Sequence, residues 1–208
     1  VERIPAVLKT QERPWNAAVD MILRTTGTHG YIILEGYGRV NTILDFLRER
    51  LTHMAVRTDA PLFSVMPKDC VRSVDMRDAV VIASLSGQIE ETINRAEKLH
   101  RLGLTPLFIT GLGKTPAQEL ITAKTVIGVN IPGRRSSSPE QISWHKNQFI
   151  WKRGQEVTPE EEAAEINLLA VLEALTACIM EKRGIQEKDL VIDWGSLVRE
   201  SGSGSKDK

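Results

Sequence analysis

The chain has 208 residues, of which 41% are hydrophobic and 26% are charged. This composition predicts one globular domain over residues 1–200, and it excludes collagen-like, low-complexity and wholly disordered chains. Lysine plus arginine and aspartate plus glutamate both number 27, so the formal net charge is zero and no overall field attracts nucleic acid or an anionic membrane.

Cysteine usage and hydropathy favour a soluble, cytoplasmic protein. Cys70 and Cys178 are too few for a disulfide framework, and the chain has neither a membrane-spanning apolar run nor the apolar core of a signal peptide. No membrane partner and no nucleic-acid partner are therefore predicted. The segment 201–208 alternates serine with glycine before three charged residues, which predicts a flexible tail.

Strand-like and helix-like patterns alternate between residues 14 and 129. Short apolar segments predict five buried strands, at 31–34, 62–65, 79–83, 105–109 and 125–129. One helix is predicted over 39–54, with Ile43, Leu47, Leu51 and Met54 as its core positions, and another has Ile89, Ile93, Ala96, Leu99 and Leu102 on its core stripe. This alternation predicts an α/β fold of three layers, a parallel sheet with helices on both faces.

The alternation ends near residue 130. The segment 132–139 has the composition of a loop, and 130–158 has no clear period, which predicts a functional loop or lid. A helix is predicted from Glu160 to Lys182, and its central part is apolar on nearly every side. Such a helix is expected to be buried between subunits.

Two glycine-containing turns follow predicted strands, Gly36-Tyr37-Gly38-Arg39 and Ser84-Leu85-Ser86-Gly87. Helix N-termini at the carboxyl ends of parallel strands present free N–H groups to anions, so both turns are candidate phosphate contacts. Ser84 and Ser86 add hydroxyl donors, and Gly87 allows close backbone approach. The alternative, that the serine-rich turn only caps a helix beginning near Gln88, stays open.

Nucleotide and metal motifs do not fit the sequence. The third glycine of a dinucleotide fingerprint would fall at Asn41, and the first glycine of a P-loop ending at 113–115 would fall at Phe108. The four histidines are dispersed, and no His, Cys and Asp cluster has the spacing of zinc ligands, so no metal is predicted.

Arg39, Phe46, Arg50 and His53 fall on one stripe of the helix predicted over 39–54. Arg39 and His53 would lie about 21 Å apart along that helix, too far to contact one small ligand together. If both act in one site, they must come from different subunits. The alternative is that His53 is a half-buried histidine at a helix end and Arg50 a member of a surface ion pair.

Several segments together identify a family. The segment 78–87 reads Asp-Ala-Val-Val-Ile-Ala-Ser-Leu-Ser-Gly, and Glu91-Thr92 and the segment 103–110 follow it. With these segments the chain resembles the sugar isomerase domain family of phosphosugar-binding proteins over residues 14–183. Within that family, the segments 36–39, 50–54 and 131–133 and the succession Glu165, Glu173 and Met180 are similar to the 6-phospho-3-hexuloisomerases of the ribulose monophosphate pathway.

The resemblance implies a five-stranded parallel sheet of flavodoxin-like order and a homo-oligomer, a dimer or tetramer with sites at subunit boundaries. It implies an isomerase that moves the carbonyl of a hexulose 6-phosphate between C3 and C2 through an enediol, giving fructose 6-phosphate without a cofactor. Glu165 would be the base and His53 of a neighbouring subunit would assist. Gly38, Arg39, Ser84, Ser86 and Gly87 would hold the phosphate.

Two positions depart from the family pattern. The family has serine at the position of Val40 and threonine at that of Ile89, so two hydroxyl contacts to phosphate are lost. Asn41, Thr42 or the segment 134–138 could replace them, and Ile89 also suits the core stripe of its helix. These departures leave open an isomerase for another sugar phosphate, or a non-catalytic sugar-phosphate sensor.

Overall fold

The structure of the chain is a computed structural model, and it describes residues 4–25, 28, 30–57, 64–65, 73–111, 114–132 and 159–186. Helices and strands follow one another in these segments as α1 (Ile4–Thr10), α2 (Glu12–Arg24), β1 (Tyr31–Gly36), α3 (Arg39–Arg57), β2 (Ser64–Val65), β3 (Ala79–Ser84), α4 (Glu90–Arg101), β4 (Leu107–Gly111), α5 (Pro116–Thr122), β5 (Ile127–Ile131) and α6 (Pro159–Arg183).

All described strands are parallel and form one sheet, in the order β2-β1-β3-β4-β5. This is the order of a doubly wound, flavodoxin-like sheet, in which the chain builds outward from β1 in one direction and then from β3 in the other. Four strands are five or six residues long, whereas β2 comprises only Ser64–Val65. The predicted parallel α/β architecture is confirmed.

Helices cover both faces of the sheet, because successive side chains of each buried strand point to opposite faces. On one face, which we call the α3 face, Val81 and Ile109 pack among apolar side chains of α2, α3 and α6. On the other, the α4 face, Ile82 and Phe108 pack against α4 and α5. Each face has its own apolar core, so the fold has three layers, with helices on either side of the sheet.

Strands β4 and β5 begin two residues later than their apolar patterns predict. Pro106 has no N–H to donate to a ladder, and its carbonyl accepts a hydrogen bond from Ile127 N at 2.9 Å just before β4 begins. Before β5, Thr125 N donates to Leu120 O at 3.0 Å, which completes the turn after α5. Before β4, Pro106 thus offers only its carbonyl, which bonds to the first residue of β5, and before β5 the N–H of Thr125 is used in the preceding turn.

Three helices, α1, α2 and α5, have no counterpart among the predicted elements. In α4 the predicted core stripe is only partly buried: Ala96 and Leu99 are buried, while Leu102 is 55% exposed just after the helix ends. The prediction that Ile89 belongs to this stripe is wrong, because Ile89 is the N-cap residue with extended backbone and lies before the helix.

The long last helix, α6, buries one face and leaves apolar side chains on another. Leu168, Val171, Leu172, Leu175 and Ile179 are buried in the α3-face core, whereas Ile166 is 53% exposed. Several predictions concern residues outside the described segments: the start of the second strand at 62–63, the part of the predicted loop from 133 to 158, and the tail 201–208.

Candidate functional site

The order of the strands places a crevice at the carboxyl edge of the sheet, between β1 and β3. The chain leaves β1 toward β2 on one side and later leaves β3 toward β4 on the other, and ligands of open α/β sheets bind at such a switch point. Gly36 and Ala83 are in register, so the two candidate turns leave the sheet side by side, about 5 Å apart. The two predicted phosphate-binding turns thus meet at one place.

The turn after β1 brings α3 close to the end of the strand. A Cβ at Gly36 would lie 2.9 Å from side-chain atoms of both Val40 and Leu44, so only glycine fits there without displacing them. Gly38 has a φ of +57°, a left-handed conformation that favours glycine. Val40, at the position where the family has serine, is 9% exposed and belongs to the α3-face core. The Val40 side chain therefore packs in the core and does not line the turn.

The turn after β3 is held by main-chain hydrogen bonds. Gly87 N donates to Ser84 O at 3.0 Å, and Gly87 O accepts from Ala117 N at 3.1 Å, which ties the turn to the start of α5. Gly87 has a φ of +62°. Ser86 Oγ accepts a hydrogen bond from Gln88 N at 3.3 Å within the turn, two residues before α4 begins at Glu90. The hypothesis that this serine-rich turn caps a helix starting near Gln88 is wrong, because the N-cap is Ile89 and its side chain makes no capping bond.

Arg39 and Glu165, predicted from separate segments, are in direct contact. The Nε atom of Arg39 lies 2.9 Å from Oε1 of Glu165, with the two side chains 66% and 20% exposed. Arg39 is the first residue of α3, directly after the turn that follows β1, and α6 supplies Glu165. Asn167 Nδ2 donates to Pro132 O at 2.8 Å and fixes this part of α6 beside the end of β5. The structure thus places a cation and a half-shielded carboxylate together at the carboxyl edge.

Farther along the same two helices, Arg50 and Glu173 form a second ion pair at 3.0 Å, with side chains 46% and 43% exposed. The hypothesis that Arg50 belongs to a surface ion pair is confirmed. Both pairs step forward along α3 and α6, so these helices run in the same direction. The other half of that hypothesis, a half-buried His53 at a helix end, is wrong, because His53 is exposed and α3 continues to Arg57. The distance along the helix from Arg39 to His53 is about 21 Å. His53 and Arg39 of one chain do not meet.

A row of buried polar side chains crosses the carboxyl edge, and the sequence analysis did not find it. Ser84 is in register with Thr110, and Thr110 with Asn130. All three lie on the α4 face, two residues after the apolar or glycine positions of that face on their strands. Their side-chain oxygens Ser84 Oγ, Thr110 Oγ1 and Asn130 Oδ1 are buried and, within the described segments, have no hydrogen-bond partner.

This row lies directly beneath the turn after β3. A Cβ at Gly87 would come within 2.7 Å of the hydroxyl oxygens of both Thr110 and Thr115, so the backbone of Gly87 rests on these two side chains. Ser84 is fully buried, unlike the half-exposed Ser86. A polar residue closing an otherwise apolar strand, as in both β4 and β5, is the sequence pattern that could have indicated the row.

A bidentate ion pair between Arg95 and Glu35 lies beside the switch point, on the α4 face of the sheet. It was not predicted from the sequence. Arg95 of α4 donates to Glu35 of β1 through Nε at 3.0 Å and through a terminal nitrogen at 2.8 Å. Glu35 is the penultimate residue of β1, so it is near the turn that follows. The pair holds α4 against β1 and gives the edge a second fixed carboxylate.

In the residues that the structure describes, no three or more His, Cys, Asp and Glu side chains are placed to hold a metal ion. None of the helices in these same segments is long and apolar enough to cross a membrane.

The fold matches solved structures of sugar isomerase domain proteins. A hypothetical protein of Methanococcus jannaschii, for which the function of 3-hexulose-6-phosphate isomerase was inferred, aligns with a TM-score of 0.61 and 17% identity over 91% of each chain. The sugar isomerase domain of an RpiR transcription factor from Sphaerobacter thermophilus aligns with a TM-score of 0.57 and 16% identity, over 96% of this chain and 92% of that chain.

Phosphoheptose isomerase from Neisseria gonorrhoeae aligns with a TM-score of 0.52 and 14% identity, over 86% of this chain and 94% of that chain. No family model matches the sequence, and no curated protein matches it. At these identities the likeness establishes the fold, and the activity has to be argued from the residues of the site.

Proposed function

We propose that this protein is a sugar-phosphate isomerase that interconverts 3-hexulose 6-phosphate and fructose 6-phosphate through an enediol. The contact between Arg39 and Glu165 at 2.9 Å, at the switch point of the sheet, carries the proposal. A guanidinium can hold a phosphate, and a partly shielded carboxylate can act as a general base. The sequence resemblance and the likeness to sugar isomerase domains support the same class of reaction.

The reaction needs one base that can reach two neighbouring carbons of the sugar, C2 and C3. Glu165 would take the proton from C2 of the 3-hexulose, which leaves a 2,3-enediol, and would return a proton to C3, which gives fructose 6-phosphate. The electrons stay within the substrate, so the reaction calls for no external oxidant or reductant. Glu165 suits this task because its side chain is 20% exposed, accessible to substrate yet largely shielded from water.

The phosphate would be held between the two turns. In this proposal Arg39 and the backbone N–H of Gly38 contact it from one side, and the hydroxyl of Ser86 from the other. Gly87, whose own N–H donates to Ser84 O at 3.0 Å, would let the phosphate come close to the turn. Ser84, whose hydroxyl is buried beneath the turn, supports that turn from below. These contacts would hold C2 and C3 of the sugar close to Glu165.

His53 enters the proposal only through a second subunit. Its place on α3 is too far from Arg39 for both to reach one substrate, so in a dimer or tetramer a neighbouring chain would supply it. The exposed apolar side chains Phe46 on α3 and Ile166 on α6, both 53% exposed, support an oligomer that covers these two helices.

Hydrogen exchange into fructose 6-phosphate tests the proposed reaction. The protein is incubated with this ketose in heavy water, and the carbon-bound hydrogens are followed by NMR. We expect deuterium at C3 and the appearance of a 3-ketose. Exchange at C1 instead would indicate an aldose–ketose isomerase, and a panel of pentose and heptose phosphates would then identify its substrate.

A non-catalytic sugar-phosphate sensor is the second candidate. It is favoured by Val40 and Ile89, since neither offers the hydroxyl that the family pattern has there, and by the likeness to the sugar isomerase domain of a transcription factor. Tight binding of fructose 6-phosphate without exchange at any carbon would support the sensor. Turnover at ordinary enzyme rates, about 1 per second or faster, would exclude it.

A further inference from the structure

Arg39 and Glu165 hold one another, although the proposed function gives each of them a different partner. Arg39 would bind the phosphate of the substrate, and Glu165 would take a proton from carbon. In the structure the carboxylate oxygen Oε1 of Glu165 accepts from Nε of Arg39 instead. The ion pair therefore has to open, or at least loosen, before the base can approach the sugar.

We propose that this ion pair couples phosphate recognition to proton transfer. The phosphate of the substrate takes over Arg39, and Glu165 is thereby released to act as the base. Arg39 then determines specificity in turnover as well as in binding, because a sugar without phosphate leaves Glu165 engaged. This inference rests on the proposed function, and it adds the order in which the two groups come into use.

The exposure of the two side chains fits such an exchange. The Arg39 side chain is 66% exposed, so a ligand can reach its guanidinium from solvent, whereas Glu165 is only 20% exposed and stays in the site. Among the residues that the structure describes, a Cβ at Gly38, next to Arg39, would have no atom within 4 Å. Ion pairs this exposed are weak, and a phosphate can accept two parallel hydrogen bonds from one guanidinium.

The second ion pair of the same helices provides a matched control. Arg50 and Glu173 have the same chemistry at nearly the same distance, 3.0 Å, but they lie away from the switch point. Removing the charge of Glu173 changes the net charge by the same amount as removing that of Glu165. An effect on phosphate binding that is specific to Glu165 therefore comes from its place at the site beside Arg39 and not from overall charge.

Binding of inorganic phosphate tests the competition without any turnover. Its dissociation constant is measured by calorimetry at fixed ionic strength for the wild-type protein, Glu165→Gln and Glu173→Gln. We expect binding about three- to tenfold tighter in Glu165→Gln, and within about twofold of wild type in Glu173→Gln. Equal affinities in all three proteins overturn the coupling and leave the proposed function standing, whereas no phosphate binding in any of them overturns both.

Adding phosphate as a separate molecule tests the release of the base. Unphosphorylated fructose is incubated in heavy water, and exchange at C3 is followed with and without inorganic phosphate. We expect phosphate to accelerate this exchange at least about fivefold in the wild-type protein and to leave the rate of Arg39→Gln unchanged. A wild-type rate that does not respond to phosphate, or an Arg39→Gln variant that responds as strongly as the wild type, would contradict the coupling.

Discussion

The contact between α3 and α6 has an arginine–glutamate pair at each end, and the surroundings of the two pairs differ. Arg39 and Glu165 lie at the carboxyl edge of the sheet, beside two turns with left-handed glycines, and the carboxylate is mostly shielded. Arg50 and Glu173 lie farther along the helices, with both side chains nearly half exposed. The same two residue types therefore have the surroundings of a candidate site at one end and of an ordinary surface ion pair at the other.

The difference teaches that the position of a charged pair relative to the sheet matters more than its chemistry. Parallel strands direct their carboxyl ends, and the turns that follow them, to one edge, where backbone N–H groups remain available to a ligand. Only the pair at that edge can act together with those groups. Arg50 and Glu173 lie away from these backbone groups and contact each other.

The largest expected difference between the two ends is in turnover. Glu165→Gln keeps the size of the side chain and removes the base, so we expect the rate of C3 exchange in fructose 6-phosphate to fall about 10²- to 10⁴-fold. Glu173→Gln removes the same charge at the other end and should keep the rate within about twofold. The measurement compares the steady-state rates of both variants, and circular dichroism checks that each keeps its fold. Full activity in Glu165→Gln would remove the edge pair from the mechanism.

The second prediction concerns how tightly the edge is built. Gly87→Ala places a Cβ 2.7 Å from the hydroxyl oxygens of Thr110 and Thr115 and also imposes a side chain on a φ of +62°, so we expect a loss of about 2 to 4 kcal/mol in the free energy of unfolding. Gly38→Ala meets no atom of the described segments within 4 Å, so we expect only the cost of its φ, about 1 to 2 kcal/mol.

Urea unfolding of the two glycine variants under identical conditions gives both values. If the two losses were equal, the turn after β3 would not be packed on the threonines as described, and the edge would be less constrained than its glycines indicate. A larger loss in Gly87→Ala would sharpen the contrast between the fixed turn after β3 and the roomier turn before Arg39.

Phosphate binding should distinguish the two arginines. Arg39→Gln loses a charge-assisted hydrogen bond to phosphate, which corresponds to affinity weaker by about 10- to 100-fold. Arg50→Gln lies away from the turns and should bind within about twofold of the wild-type protein. Titration with fructose 6-phosphate, followed by calorimetry, compares them. Equal weakening of phosphate binding in both variants would show that only the net positive charge of α3 matters. The carboxyl edge would then not be a specific phosphate site.

The architecture could be predicted from the sequence because buried parallel strands and amphipathic helices leave periodic patterns. Periodicity placed the segments of β1 and β3 within two residues of their observed ends. It failed for β4 and β5, where Pro106 has no N–H to donate to a ladder and Thr125 N donates to Leu120 O in the turn after α5. A hydrophobic pattern carries no information on which backbone groups are already bonded, or missing, where a strand would begin.

The candidate site was predictable in part. Arg39 and Glu165 were named on resemblance, and the structure brings them together although they are 126 positions apart in the sequence. Thr110 and Asn130 were missed, since each is a single polar residue at the end of an apolar strand. Only the register of β3, β4 and β5 shows that they align with Ser84 in one row.

The smallest expected effect is the contribution of the exposed Arg50–Glu173 pair to the free energy of unfolding. It is the reference value for the Arg39–Glu165 pair. A double-mutant cycle with Arg50→Gln and Glu173→Gln should give a coupling free energy of about 0.2 to 0.5 kcal/mol, because water and salt screen two side chains that are 46% and 43% exposed. The same cycle at Arg39 and Glu165 should give about 0.5 to 1 kcal/mol, since one partner is largely shielded.

Both coupling free energies are measured by urea unfolding at low salt and at about 1 M salt, where the coupling of the exposed pair should largely disappear. A larger and more salt-resistant coupling at Arg50 and Glu173 would reverse the order that burial predicts, and Arg39 would then be too loosely held for the release of Glu165 to matter.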